Sequence, residues 1–238
     1  TYGTGSIPEV YKIFGPGNQY VTVAKQLATK FGIAIDMPAG PSELLVVTDN
    51  SANPAYVAAD LLSQAEHGYD SQVILISLDL EVLVNVEREI ATQLEDLPRK
   101  HMAKVAISNS RLIYLDSPQE ALDMINAYAP EHFIVASSDP EYFIQGIRNA
   151  GSVFVGHLTP ESAGDYASGT NHTLPTNGYA RNYSGVNVDS FMKAISFQRL
   201  TAEGLENIGP TIETMAAAEG LFAHKNAVSL RLKDLRND

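Results

Sequence analysis

Residues 44–76 read LLVVTDNSANPAYVAADLLSQAEHGYDSQVILI, and this stretch decides the class of fold. Two short apolar runs, LLVV from Leu44 and VILI from Val73, flank a segment with the ends of a helix. Asn53-Pro54 supplies an N-cap and a first-turn proline, and Gly68 supplies a C-terminal stop. Strand, helix and strand in this order form a βαβ unit, and with it a largely parallel sheet flanked by helices.

The same alternation continues outward. Further strands are predicted at IAI near residue 33, RLIYL from Arg111, FIVA from Phe133 and SVFV from Ser152. Ser117-Pro118 opens one helix, and Asp139-Pro140 opens another that closes near Gly151. The helical stretch from Asp79 to about Ser108 is expected to break in two at Pro98. A parallel sheet of this kind places functional loops at the carboxyl ends of its strands. The pattern changes at 156–185, GHLTPESAGDYASGTNHTLPTNGYARNYSG, too long and too polar for a mere connection and read as a site-lining loop. A strand-like FMKAISFQ, a helical TAEGLENIGPTIETMAAAEG and a short helix in AHKNAVSLRLKDL follow.

With 238 residues and 45% hydrophobic content, the chain can bury a substantial core. A net charge of -12 argues against nucleic acid or an anionic membrane as the main partner, because both need a basic patch. A small-molecule substrate fits better. The absence of cysteine removes disulfides and thiolate ligands, so a metal would be held by His, Asp, Glu or Gln. No apolar run approaches membrane-spanning length, and a cytoplasmic setting is expected. The polar opening TYGTGSIPEVYKIFGPGNQYV starts without methionine and leads at once into a glycine-rich turn, as a piece of a longer polypeptide would.

Chemistry concentrates at a few places. Gln64 and His67 stand three apart, so on a helix they project from one face and can converge on one point. Glu131 and His132 adjoin at a turn that feeds a strand, the kind of acid and imidazole pair that can take a proton from a substrate and activate water. The bland alternative is a polar pair on an edge strand. Asp165 lies between two glycines and reads either as an Asx-turn or as a ligand. Gln64, His67, Asp165 and one further histidine would give a nitrogen and oxygen donor set suited to zinc or another borderline divalent ion. GPGN at 15–18 either presents amides to a pyrophosphate at a helix N-terminus or is a tight turn, and IDMPAGPSE at 35–43 poses the same choice. His101 is read as solvated surface, and His157 lies in a loop.

The motifs GPGNQYVTVAKQL, DMPAGPSELLVV, AADLLSQAEHGYDSQVIL, YAPEHFIV, NAGSVFVGHLTPESAGDYASGTNHTLPTNGYARNYSGV and NIGPTIETMAAAEGLFAHKNAVSLRL, in order from Gly15 to Leu232, resemble those of histidinol dehydrogenase. The resemblance implies a zinc-dependent enzyme of histidine biosynthesis that oxidises L-histidinol to L-histidine through histidinal with two NAD. It implies Gln64, His67, Asp165 and His224 as metal ligands, also facing the substrate, with His224 supplied by the other subunit of a homodimer. Glu131 and His132 match the acid–base pair, His132 also touching the substrate. Ser42, His172 and Glu219 match substrate contacts and Asn18 a cofactor contact. Family members are considerably longer on the N-terminal side, where further cofactor contacts lie. The expected fold is therefore α/β, with incomplete Rossmann-like parallel sheets, helices on both faces and a C-terminal helical tail. Residues 1–42 would be the remainder of an NAD-side domain, 43–185 the metal- and substrate-binding domain, and 186–238 a dimer-contacting tail. The rival reading is a catalytically silent zinc- and imidazole-binding module.

Overall fold

A computed structural model describes residues 1–236. The chain forms two compact units, 1–191 and 192–238. In the first, β1 (Lys12–Ile13), α1 (Gln19–Thr29) and β2 (Ala34–Ile35) precede β3 (Glu43–Thr48), α2 (Pro54–Ala65), β4 (Gln72–Ser77), α3 (Leu80–Leu94), α4 (Lys100–Ser108) and β5 (Arg111–Tyr114). There follow α5 (Pro118–Tyr128), β6 (His132–Ala136), α6 (Pro140–Gly146), β7 (Ser152–Val155) and α7 (Glu161–Tyr166). The second unit holds α8 (Ala202–Ala218) and α9 (Phe222–Leu235).

Strands β3 to β7 build a parallel five-stranded sheet in the order β5-β4-β3-β6-β7. The chain runs from β3 to one side and returns to β6 on the other, so β3 and β6 flank the point where the winding reverses. Every residue of β3 and β6 is buried, as expected of central strands covered on both faces. Alternate residues serve the two faces. Leu44, Val46, Val73, Leu75 and Ile134 pack with α2, α3 and α4, and Leu45, Val47, Ile74, Ile76, Phe133 and Val135 pack with α5 and α6.

The helix starts follow the caps read from sequence: Asn53 accepts from Ala55 N–H, and Ser117 from Glu120 N–H. The break at Pro98 separates α3 from α4, whose His101 is exposed. Two expectations fail. IAI yields only the two-residue β2, paired with β1 in a separate two-stranded sheet. FMKAISFQ forms no strand, because β-branched and aromatic residues make a strand only where a partner ladder exists; Phe197 is 91% exposed there. In the second unit α8 and α9 pack as a hairpin, with Leu232 seated against Gly209.

Candidate active site

The site forms at the amino ends of β3 and β6, which corrects the expectation that functional loops gather at the carboxyl ends. Two features explain the reversal. Helix α2 runs back from the carboxyl edge, so its C-terminal residues arrive beside the starts of the strands. At the carboxyl edge the crevice is closed by its own turns. Asp49 accepts hydrogen bonds from Ser51, Ser137 and Ser138, and Ser51 Oγ also meets His157 Nε2 at 3.1 Å. Although burial pushes the Asp49 carboxyl up, these donors hold it well below the usual carboxylate range.

Glu131 and His132 are 6% and 4% exposed, at the start of an interior strand and not an edge, with Glu131 just before β6 and His132 its first residue. Glu131 Oε2 accepts from the N–H of Glu43 at 2.8 Å and stands 3.5 Å from His132 Nδ1. His132 Nδ1 meets the carbonyl oxygen of Glu43 at 3.1 Å. A carbonyl can only accept, so Nδ1 carries a proton and, in the neutral ring, Nε2 is the basic nitrogen. Nε2 lies 3.9 Å from both Glu161 Oε1 and Asp165 Oδ1, and the ring rests on Phe154 at 5.9 Å. Burial disfavours charging His132, but Glu131, Glu161 and the Glu43 carbonyl together carry its pKa above the ordinary imidazole value.

The expected metal donors converge in part. Gln64 lies in the last turn of α2 at 1% exposure, its Oε1 buried without a partner among the described residues, and His67 follows just beyond the cap. Asp165 is on the six-residue α7 and not in an irregular loop, as the sequence reading had it. His67, Asp165 and Glu161 each offer one ligand atom, all within 4.8 Å of one another. Glu161 was not anticipated. It is 1% exposed, Oε2 accepts from Ser63 Oγ at 3.1 Å, and Oε1 has no partner among the described residues. Burial raises its pKa strongly; His132 pulls it down and Asp165 pushes it up again. The readable signal was the four-residue spacing of Glu161 and Asp165, which aligns them once 161–166 is taken as helix. Gly164 lets that helix close on Phe154, where a Cβ would sit 2.8 Å from the ring.

Gln64, His67, Glu131, His132 and Asp165 line a cavity of about 350 Å³, together with Ser42, His172 and the Pro16-Gly17 turn. The GPGN turn is held from below: Lys25 Nζ donates to Gly15 O at 2.9 Å and pairs with buried Asp36, which accepts from Gly15 N–H at 2.8 Å. Asn18 caps α1 by accepting from Tyr20 and Val21 N–H, and lines an adjoining recess with Ser42 and His67. Glu219 caps the end of α8 and His224 lies in the first turn of α9, both in the second unit and both exposed.

Residues 1–232 match the family model described as histidinol dehydrogenase. A histidinol dehydrogenase of Bacteroides thetaiotaomicron is 59% identical over 235 residues, covering 99% of this chain and 55% of the relative. The chloroplastic enzyme of Arabidopsis thaliana is 57% identical over 237 residues, covering 98% and 51%. The crystal structure of histidinol dehydrogenase from Elizabethkingia anophelis superposes with a TM-score of 0.97 at 61% identity, over 99% of this chain and 54% of that one. The chain thus spans about half the length of the relatives it matches. On a family match of this extent, the chain belongs to the histidinol dehydrogenase family.

Proposed function

We propose that this chain supplies the catalytic pair and most of the metal donors of an enzyme that oxidises L-histidinol to L-histidine through histidinal with two NAD. The observation that carries the reading is the Glu131–His132 pair, fixed by one residue of β3 and facing a cavity that also holds His67 and Asp165. The donor set fits a divalent ion: it is nitrogen and oxygen only, and the buried oxygens Gln64 Oε1 and Glu161 Oε1 lack partners among the described residues, which is costly unless something else satisfies them. Gln64, His67 and Asp165, with His224 of a second copy, would hold zinc. When bound, zinc supplies a positive anchor for substrate nitrogens, and NAD accepts the hydrides.

The protein's own groups do the proton work. His132 Nε2 takes the hydroxyl proton as hydride leaves the carbinol carbon. Glu131 is held through Oε2, which leaves Oε1 to take a proton from water as that water adds to the aldehyde; the adduct then gives the second hydride to NAD and its remaining hydroxyl proton to solvent, and becomes the carboxylate. Ser42 and His172 on the cavity wall would position substrate, and the Asn18 turn would serve the cofactor; Glu219 is a further substrate contact by family resemblance alone.

A silent zinc- and imidazole-binding module is disfavoured by the intact acid–base pair. The test is NADH formation from L-histidinol by the intact protein with zinc, alongside metal analysis of His67→Ala. Activity in the wild type, with metal content falling sharply in the variant, supports the reading. Zinc binding without NADH formation would return the chain to the silent class.

A further inference from the structure

Glu43, the first residue of β3, touches both members of the acid–base pair through its backbone, which any amino acid would do. Its side chain calls for a separate account. The residue is only 7% exposed, yet it places a carboxyl beside the Glu131 carboxylate, where like charges oppose each other. Glu43 Oε1 accepts from the N–H of Asn177 at 2.9 Å, and Oε2 is buried with no partner among the described residues. Asn177 has a positive φ of 54°, a left-handed conformation that asparagine adopts more readily than most residues other than glycine. The residues before it form one wall of the cavity, including His172, Thr173 and Thr176. Thr176 Oγ1 accepts in turn from Gly40 N–H, on the segment that leads into β3.

We propose that the Glu43 side chain is a positioning residue for Glu131: it clamps the 172–177 wall of the cavity to the amino end of β3 and sets a second buried carboxyl beside the reacting one. The proposal rests on the reading of Glu131 as the group that activates water. The titratable groups facing Glu43 are Glu131 and His132 from β6 and Tyr128 from the end of α5. Strand β4 offers the neutral Gln72, which takes the Tyr128 hydroxyl at 2.8 Å. The wall contributes only the Asn177 amide. Burial pushes Glu43 up to about 7, against the pull of the Asn177 N–H and with a further push from Glu131. A proton therefore enters or leaves this carboxyl near neutrality. Once the proton leaves, the added negative charge makes Glu131 and His132 stronger proton acceptors.

The test compares Glu43→Gln and Glu43→Ala in the intact enzyme. Glutamine keeps the shape and the acceptor for Asn177, so folding and KM should stay at wild-type values. The rise in kcat that His132 gives should remain but move to lower pH, because glutamine removes the negative charge that strengthens His132 as a proton acceptor. Alanine also removes the clamp: KM should rise about tenfold, the worth of one charge-assisted hydrogen bond, and the Asn177 amide should exchange faster with deuterium. An unchanged pH profile in Glu43→Gln, an unchanged Asn177 exchange rate in Glu43→Ala, or failure of Glu43→Gln to fold would each overturn the proposal. Absence of NADH formation by the wild type would instead sink the functional reading, and the exchange measurement would still judge the clamp.

Discussion

Gly151 and Glu131 are packed so closely that a Cβ on Gly151 would lie 2.5 Å from the carbonyl oxygen of Glu131. The contact is backbone against backbone, between the turn that leads into β7 and the residue just before β6, and Gly151 N–H donates to Pro130 O at 2.9 Å beside it. Neither partner can swing away.

Gly151→Ala should therefore shift Glu131 itself. Overpacking of this kind costs about 1–3 kcal/mol of stability, and a displacement near 1 Å of a reacting group costs about 100-fold in rate. The expected pattern is a folded protein with kcat down at least tenfold and a Tm lowered by several degrees. Wild-type kcat in a folded Gly151→Ala enzyme would show that the backbone yields without moving the carboxylate.

The Lys25–Asp36 pair beneath the GPGN turn gives a second expectation. Its side chains are 5% and 0% exposed, so removing one partner leaves a buried charge uncompensated. Lys25→Met should lower unfolding free energy by roughly 3–5 kcal/mol, and the double variant Lys25→Met/Asp36→Leu should recover part of that loss. Equal or greater instability of the double variant in urea titrations would mean that Asp36 matters chiefly through its hydrogen bond to Gly15 and not through its charge.

Asp60 on α2 predicts a pH dependence of stability. Burial pushes its carboxyl from 3.8 to about 6, against a backbone hydrogen bond from Glu161. For an acid whose folded pKa is raised, the unfolded chain releases its proton first, so stability is lost as pH climbs from the unfolded value through the folded one. Asp60→Asn keeps an acceptor oxygen and removes the charge. It should stabilise the fold by roughly 1–3 kcal/mol above the folded pKa and by almost nothing at a pH near the unfolded value. A gain of equal size at both ends would assign the effect to packing instead of charge.

The five-stranded sheet was legible because its central strands carry unbroken apolar runs, LLVV, VILI and FIVA, and its helices carry their caps in sequence, Asn53-Pro54 and Ser117-Pro118 among them. The pairing of Gln64 with His67 was legible for the same reason, as a spacing within one turn. Three things were not. Which end of the sheet holds the site depends on whether the carboxyl-edge crevice stays open, and Asp49 with its serine donors closes it through contacts across 88 and 89 positions of chain. Glu161 hid in a segment whose glycines and threonines read as loop, although Gly164 is there to let α7 approach Phe154. FMKAISFQ has the residue types of a strand but no neighbour to complete its ladder.

The central claim is that Glu131 activates water for the second oxidation while His132 serves the first, and single-turnover kinetics of Glu131→Gln in the intact enzyme tests it most directly. With excess NAD and limiting L-histidinol, the wild type should form two NADH per histidinol. The variant should form the first at a rate close to wild type and the second more slowly by roughly 10²–10⁴-fold, the scale of a lost general base, with histidinal accumulating between them. Equal slowing of both NADH bursts, or a second burst at the wild-type rate, would contradict the account.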